Sequence, residues 1–268
     1  MVPPSHPNEG NVAGPNLPSL SAADERRRPS LRLTDIDPEA GFAWRPPVDG
    51  MMPLDVHDAA LEGLISQAVA ADPEGPAHAR RVGLIAAELA AALGVPRPRQ
   101  LLLQRAAELH DLGKLALPEA VLGYNHVLDR TRRRVIEQHP LFGAAMLALA
   151  REPWMRLART VALCHHERQD GSGYPAGLAG AGIPLAARLV AVADVYDALR
   201  SRRSYKAAMP HEEALARLRE GDDRIRPAHF DPDALAALFG RSTAVAAIHA
   251  RLPDAAAVVP AVAERAGA

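Results

Sequence analysis

The sequence contains very few residues of several kinds that would indicate other classes of protein. Only one of its 268 residues is a cysteine, Cys164, so no disulfide can form within the chain, and a reducing cytoplasm fits. No apolar run reaches the length of about 18 residues that a transmembrane helix needs, and no apolar signal core follows a basic start. The formal net charge is -1, which gives no global attraction to nucleic acids or membranes. These absences predict a cytoplasmic protein that binds neither a membrane nor a nucleic acid polymer.

Aromatic residues and lysines are also scarce. Aromatic residues make up 4% of the chain, whereas alanine and leucine dominate a hydrophobic fraction of 48%. That composition favours helices over strands, so the sequence predicts an all-α fold. Of the 31 basic residues, only Lys114 and Lys206 are lysines. We interpret the single cysteine, Cys164, as a small core residue.

The first 53 residues differ in composition from the rest of the chain. They are rich in proline and show no sustained apolar period. Such a segment cannot bury enough surface to offset the entropy of ordering, so we predict a disordered extension over 1–53. It is either a partner-binding arm or simply an unstructured extension. We predict one helical domain over 54–250 and an alanine-rich tail over 251–268.

Apolar residues recur at helical spacing in eight segments of the predicted domain. Pro140 falls inside the fourth segment, where we expect it to kink the helix. The predicted helices cover 54–70, 78–94, 101–113, 129–150, 154–167, 183–202, 211–220 and 231–240.

Histidines and carboxylates fall on the apolar faces or at the ends of successive predicted helices. A lone histidine on an apolar face is usually a packed core residue, but burying many titratable groups is costly unless something compensates for it. Neutral imidazole and carboxylate are metal ligands, and a set without thiolate suits iron, manganese, zinc or nickel rather than structural zinc. The candidate ligands are Glu74, His78, His110, Asp111, His139, His165, His166 and Asp194. We predict that the other histidines, His6, His57, His126, His211, His229 and His249, lie on the surface.

The adjacent pair His165 and His166 suggests more than one ion. Neighbouring residues of a helix point about 100° apart, so the two imidazoles could reach different metals. Asp111, beside His110, could bridge them. Two ions about 3.5–4 Å apart are the usual arrangement for hydrolysis of phosphate esters.

Four motifs together resemble the HD-GYP domain, a subgroup of the HD phosphohydrolases. They are HDLGK (110–114), EQHP (137–140), HHERQDGSGYP (165–175) and ARLVAVADVYDAL (187–199), and the resemblance runs from about 70 to 240. It implies an all-α HD-domain helical bundle with a short hairpin-like GYP loop, so that 54–250 would be an HD-GYP catalytic domain. It also implies a cyclic di-GMP phosphodiesterase whose end product is either linear pGpG or, after a second cut, GMP.

The resemblance further implies roles for individual residues. All eight candidate ligands match metal-ligand positions of the family, whose sites hold two or three divalent ions, often iron or manganese. Glu74 and His78 match the pair found in members able to hold a third ion. Asp111 and Lys114 would be the catalytic residues, and the phosphate would contact Lys114, Arg203 and Lys206. Tyr174 offers a ring that could stack on guanine or face a protein partner.

Other possibilities stay open from the sequence. In the family, the GYP loop is linked to contacts with GGDEF cyclases, and a homodimer is a further possible assembly. The chain could instead be a non-catalytic module that binds cyclic di-GMP or a GGDEF partner, or a hydrolase of another cyclic dinucleotide. Asp170 could either orient a ligand histidine or cap the turn of the loop.

Overall fold

The structure is a computed structural model, and it describes residues 63, 66–67, 75–123, 129–148, 153–202 and 207–254. Within these ranges the chain forms helices and turns and no strand, which confirms the all-α prediction. The α-helices are α1 (Pro76–Ala92), α2 (Arg97–Ala107), α3 (Glu119–Leu122), α4 (Arg130–Ile136), α5 (His139–Leu147), α6 (Pro153–Cys164), α7 (Leu185–Arg200), α8 (His211–Glu220), α9 (Pro232–Gly240) and α10 (Ser242–Arg251). Short 3-10 helices lie at Leu112–Ala116, Gly180–Gly182 and Pro227–His229.

Two helices, α1 and α7, form the centre of the bundle. They pack against each other, and α1 also contacts α2, α9 and α10. On the other side, α6 contacts α2, α5 and α7. Val82, Ile85 and Leu89 of α1 are fully buried, as are Leu189 and Val190 of α7. The buried apolar faces therefore hold together the same helices that carry or precede the candidate ligands.

The predicted helix over 129–150 is two helices in the structure. Residues 137 and 138 form a turn between α4 and α5, and Pro140 lies in the first turn of α5. A proline is favourable there because the first N–H groups of a helix have no partner within it. The expectation of a kink was wrong, because Pro140 begins a helix instead of bending one.

The ligand pairs predicted at helix ends lie just beyond them. His110 and Asp111 follow α2 in a turn, and His165 and His166 follow α6. The last carbonyl groups of a helix lack partners within it, and a histidine ring in the following turn can bind them. A ligand in such a turn is therefore anchored to the helix that precedes it.

Two expectations outside the ligand set, a buried cysteine and surface histidines, have different outcomes. Cys164 is buried, as predicted. The surface prediction was wrong for His229, which is buried and accepts a hydrogen bond from Arg226. It was also wrong for His211 and His249, whose side chains are only 17% and 14% exposed. Helix α10 was not predicted, because only Val245 of its residues is buried and its apolar pattern is weak.

Several predictions lie outside the described residues. These are the extension over 1–53, most of the helix predicted over 54–70, the tail beyond 254, and the histidines His6, His57 and His126. Of the 54–70 segment, residues 63, 66 and 67 are described and are helical. In the described part of the chain, no helix is both long and apolar enough to cross a membrane.

Candidate metal centre

The structure brings seven of the eight predicted ligands together in two neighbouring groups, and the eighth, Glu74, lies outside the described residues. Within each group, one donor atom from every residue lies within 4.8 Å of all the others. The first group consists of Asp111, His139, His165 and His166, and the second group consists of His78, His110 and Asp194.

Asp111 lies between the two groups. One of its oxygens, Oδ1, is 3.1 Å from Nε2 of His139 and 3.7 Å from Nε2 of His165. The other oxygen, Oδ2, is 3.1 Å from Nε2 of His110, a member of the second group. A single carboxylate thus directs one oxygen toward each group, which is the geometry that a bridging ligand requires.

The second group joins α1, the turn after α2, and α7. Nε2 of His78 is 3.5 Å from Oδ1 of Asp194, and Nε2 of His110 is 4.0 Å from the same oxygen. The ring centroids of His78 and His110 are 5.4 Å apart. The ring of His110 lies 5.0 Å from that of His165, so the two groups are adjacent.

Four of the histidines have Nδ1 bound to an acceptor. Nδ1 of His110 lies 2.8 Å from the carbonyl oxygen of Ala107. Nδ1 of His139 is 2.7 Å from the carbonyl of Ile136, and Nδ1 of His165 is 3.0 Å from that of Ala162. In His78 the acceptor is a side chain, Asp197 Oδ2, at 2.8 Å. Carbonyls and carboxylates only accept hydrogen bonds, so Nδ1 carries the proton in each ring, and Nε2 is the atom left for a ligand.

The charges of the site favour a bound cation. Burial acts to lower the pKa of His110, but the neighbouring Asp111 and Asp194 carboxylates outweigh it and raise that pKa to about 10. Burial would raise the pKa of Asp111, yet Lys114 and His110 hold it well below its usual range. The pKa of His166 is lowered mainly by burial and also by the neighbouring histidines. The carboxylates that raise the pKa of His110 do so by attracting a proton. They would attract a metal ion in the same way.

Buried polar atoms in the site need a partner that the described residues do not supply. Nε2 of His110 and Oδ1 of Asp111 are buried, and within the described ranges neither makes a hydrogen bond of acceptable geometry. Nε2 of His139 and Nε2 of His165 face each other at 3.2 Å. Because both rings donate through Nδ1, two lone pairs oppose each other there unless a cation lies between them. The donor set and these unsatisfied atoms fit divalent ions with nitrogen and oxygen ligands.

The loop that contains Gly-Tyr-Pro folds back over His166. The Tyr174 ring stacks on the His166 ring with centroids 4.8 Å apart, and the Tyr174 N–H donates to the His166 carbonyl at 3.2 Å. The two oxygens of Glu167 accept from the N–H groups of Ala176 and Leu178, at 2.7 and 2.9 Å. Glu167 therefore anchors the far side of the loop to the turn that carries the histidine pair.

The loop is hairpin-like in its path but has no strand ladder. Its base is closed by the Gly180 N–H, which donates to the Gln169 carbonyl at 3.0 Å. Asp170 accepts from the backbone and the hydroxyl of Ser172, at 3.0 and 2.6 Å, and pairs with Arg226. Of the two alternatives for Asp170, these contacts favour capping of the turn.

The predicted substrate-binding residues are only partly within the described residues. Nζ of Lys114 lies 2.6 Å from Oδ2 of Asp111, at the edge of the ligand groups. Tyr174 covers the ring of His166. Arg203 and Lys206 lie outside the described residues.

Three residues of the site were missed by the sequence analysis: Arg81, Glu167 and Asp197. Arg81 and Asp197 are fully buried and bind each other through Nε and Oδ1 at 2.6 Å. A signal was present, because Arg81 and Asp197 each follow a candidate ligand, His78 or Asp194, by three residues. At that spacing the two residues of a helix lie on neighbouring parts of its surface.

Comparisons with known proteins agree with the motifs. A family model described as "HD domain" matches residues 64–233. The chain is 39% identical over 213 residues to a "Cyclic di-GMP phosphodiesterase" of Vibrio cholerae serotype O1, an alignment that covers 75% of this chain and 42% of the relative. It is 41% identical over 163 residues to the "Cyclic di-GMP phosphodiesterase response regulator RpfG" of Xanthomonas campestris pv. campestris, covering 61% of this chain and 42% of the relative.

A third relative has a different named substrate. The chain is 35% identical over 181 residues to "3'3'-cGAMP-specific phosphodiesterase 2" of Vibrio cholerae serotype O1, covering 68% of this chain and 34% of that protein. The chain thus spans less than half the length of each of these three relatives.

Proposed function

Because the chain belongs to the HD domain family, we propose that it is a metal-dependent phosphodiesterase that hydrolyses cyclic di-GMP to pGpG or, with a second cut, to GMP. The observation that supports this most directly is the position of Asp111, with one oxygen near the histidines of each ligand group. The relatives named as cyclic di-GMP phosphodiesterases, at 39% and 41% identity, support the choice of substrate.

Two or three divalent ions, iron or manganese, would occupy the site. The first group would hold one ion and the second group another, with Asp111 between them. Glu74, four residues before His78, would supply a ligand for a third ion. When bound, such ions lower the pKa of water and offset negative charge on the phosphoryl oxygens.

The protein's own residues would bind and orient the substrate. The Lys114 ammonium, 2.6 Å from Asp111, lies where it could contact a phosphate oxygen next to the ligand groups. We assign the same role to Arg203 and Lys206. The Tyr174 ring, which already stacks on His166, would limit access of water to that side of the site and offer a face to a guanine base.

A second substrate is supported by one observation, the similarity to a 3'3'-cGAMP-specific enzyme at 35% identity. The sequence identities to the two kinds of enzyme are similar, so they do not indicate which of the two dinucleotides is preferred. A substrate panel of cyclic di-GMP, 3'3'-cGAMP and cyclic di-AMP would rank them by kcat/KM. The proposal for cyclic di-GMP requires it to have the highest value.

The test of the proposed function compares metal content and turnover in one sample. The protein is purified anaerobically, its bound iron and manganese are measured, and hydrolysis of cyclic di-GMP is followed. We expect two or more ions per chain and turnover in the wild type. Asp111→Ala should lose both, whereas Asp233→Ala, at an exposed position of α9, should retain both. Metal without turnover on any dinucleotide would favour the non-catalytic binding module, and absence of metal after reconstitution would contradict the site itself.

The remaining proposals concern the setting of the domain. We propose that it acts in the cytoplasm and that the GYP loop offers a contact to GGDEF-domain proteins. Light scattering would test whether the protein forms a homodimer. We also propose that 54–250 is the catalytic domain between a disordered extension and an alanine-rich tail. Limited proteolysis should then yield a fragment with these bounds that retains bound metal.

A further inference from the structure

We propose that Asp197 is a positioning residue that orients His78 and thereby sets the metal affinity of the second group. This inference rests on the proposed metal centre and goes further by naming a residue that controls one of its two groups. Asp197 lies on α7, three residues after Asp194, and is fully buried. Its Oδ2 lies 2.8 Å from Nδ1 of His78, the nitrogen on the far side of the ring from Asp194.

His78 is held differently from the other anchored histidines. His110, His139 and His165 donate Nδ1–H to backbone carbonyls three or four residues earlier in the chain. No side-chain substitution removes those acceptors. His78 lies in the first turn of α1, and its Nδ1 acceptor is the side chain of Asp197, 119 residues away in the sequence. A single substitution can therefore remove the anchor of this ligand alone.

Arg81 fixes the carboxylate that anchors His78. Its Nε donates to Oδ1 of Asp197 at 2.6 Å and one terminal nitrogen donates to Oδ2 at 2.9 Å, so both oxygens are held. Arg81 also donates to Ser201 Oγ, the Leu252 carbonyl and Asp254 Oδ1, at 2.7, 2.7 and 2.8 Å. The guanidinium thus fixes the plane of the carboxylate, and the carboxylate fixes the plane of the His78 ring.

The substitution Asp197→Asn tests this arrangement with little change in volume. The groups that hydrogen-bond to the carboxylate are all donors: Arg81 through two nitrogens, His78 through Nδ1, and the Ser201 hydroxyl at 3.2 Å. In asparagine one end of the side chain is itself a donor, so it would oppose either Arg81 or His78. If the amide nitrogen faces His78, the ring loses its acceptor, and if it faces Arg81, the side chain that accepts from His78 is itself no longer fixed. In both cases the His78 ring is held less firmly while all seven described ligands stay in the chain.

The first measurement is a Mn²⁺ titration of metal-free protein, with free Mn²⁺ followed by electron paramagnetic resonance. Loss of a partner that orients a ligand typically weakens metal binding 10–100-fold. We expect Asp197→Asn to weaken one class of Mn²⁺ site by that factor and to leave the other class unchanged. Equal affinities in variant and wild type, or equal weakening of both classes, would overturn the inference. A wild type that binds neither Mn²⁺ nor Fe²⁺ would contradict the proposed function instead.

Asp231→Asn is the matched control. Asp231 is also a buried aspartate paired with an arginine, Arg188, and it accepts a hydrogen bond from the Ala234 N–H in the first turn of α9. Asparagine is as good an N-cap as aspartate. This variant should lose stability without losing Mn²⁺ affinity, which separates positioning of His78 from a general effect of disturbing a buried ion pair.

A second measurement needs no Asp197 variant and is independent of whether one folds. In metal-free wild type labelled with ¹⁵N-histidine, the His78 signals are assigned by their disappearance in His78→Gln. We expect Nδ1 of His78 to carry a proton. The signal of that proton should be shifted downfield, as in a strong hydrogen bond to a carboxylate. An unprotonated Nδ1 would overturn the inference even if the titration cannot be performed on the variant.

Discussion

Gly113 lies directly against the backbone of His139. A Cβ atom on Gly113 would be 1.9 Å from the His139 carbonyl oxygen and 2.5 Å from the Gly143 nitrogen. Gly113 follows Asp111 by two residues in the 3-10 helix Leu112–Ala116, and His139 is the first residue of α5. The approach of these two segments brings a carboxylate and an imidazole of the first ligand group within 3.1 Å of each other.

We predict that Gly113→Ala separates the two segments. The added methyl group would meet backbone atoms, which cannot turn away as a flexible side chain can, so we expect a loss of about 3 kcal/mol or more in unfolding free energy. Metal content should fall with it. Gly240→Ala is the control, because nothing lies within 4 Å of a Cβ there. Urea denaturation and metal analysis of both variants check the prediction, and wild-type values for Gly113→Ala would contradict it.

Glu167→Gln should loosen the GYP loop and leave the ligands in place. Glutamine keeps one acceptor for the Ala176 or Leu178 N–H but turns a donor toward the other, so we expect a loss of about 2 kcal/mol. Because Tyr174 is carried on the same loop, KM for the dinucleotide should rise while bound metal stays constant. Glu119→Gln, at an exposed position of α3, should change neither quantity. Loss of metal in Glu167→Gln would instead make Glu167 part of the metal site.

Lys114→Met should separate metal binding from turnover. Its ammonium is 2.6 Å from Asp111, where its positive charge opposes that of an incoming cation. The variant should therefore bind Mn²⁺ at least as tightly as wild type, while kcat for the dinucleotide falls about 100-fold through loss of a charge facing the phosphate. Lys114→Arg retains the charge but not the compact shape, so its kcat should lie between those of wild type and Lys114→Met. Unchanged kcat in Lys114→Met would remove Lys114 from the catalytic residues.

The ion pair of Asp197 and Arg81 predicts a specific dependence of stability on pH. Burial would raise the pKa of Asp197, but His78 and Arg81 together lower it to about 2. Since the folded pKa lies below the unfolded value of about 3.9, the resulting stability, about 2 kcal/mol, is fully present above pH 5. It is lost as the pH falls through about 4 toward 2.

The measurement is urea denaturation of metal-free protein at several pH values. The difference in unfolding free energy between wild type and Asp197→Asn should be about 1 kcal/mol smaller at pH 3 than at pH 5. Subtracting the variant removes the contribution of the other carboxylates. A difference that does not depend on pH would mean that Asp197 titrates alike in the folded and unfolded chain.

The helical class and the set of candidate ligands could be predicted from the sequence, because both depend on local patterns. Apolar periodicity located the helices that bury Val82 and Leu189, and the HD and HH pairs are visible as neighbouring letters. The positions of the pairs were less accurate, since they lie in turns whose geometry is set by contacts such as that of His110 with Ala107. Whether the helix ends at Ala107 or continues to Gly113 depends on tertiary packing, which the spacing of apolar residues does not reveal.

The residues that the sequence analysis missed depend on contacts distant along the chain. Arg81 and Asp197 are 116 residues apart, and only the packing of α1 against α7 shows that they meet. Glu167 was visible in the HHE triplet, but its role depends on the path of a loop that returns to it nine and eleven residues later. Substrate contacts from Arg203 and Lys206 remain predictions, because both residues lie outside the described structure.

The close approach of His139 Nε2 and His165 Nε2, at 3.2 Å, has a consequence for how the bundle is held together. The chain has one cysteine and can form no covalent cross-link between its helices. An ion bound by these two side chains would join the start of α5 to the turn that follows α6. An ion bound by the second group would likewise join α1 to α7. Removal of the bound ions with a chelator would then lower the melting temperature, as reduction of a disulfide does in a secreted protein. Returning the ions should raise the melting temperature again.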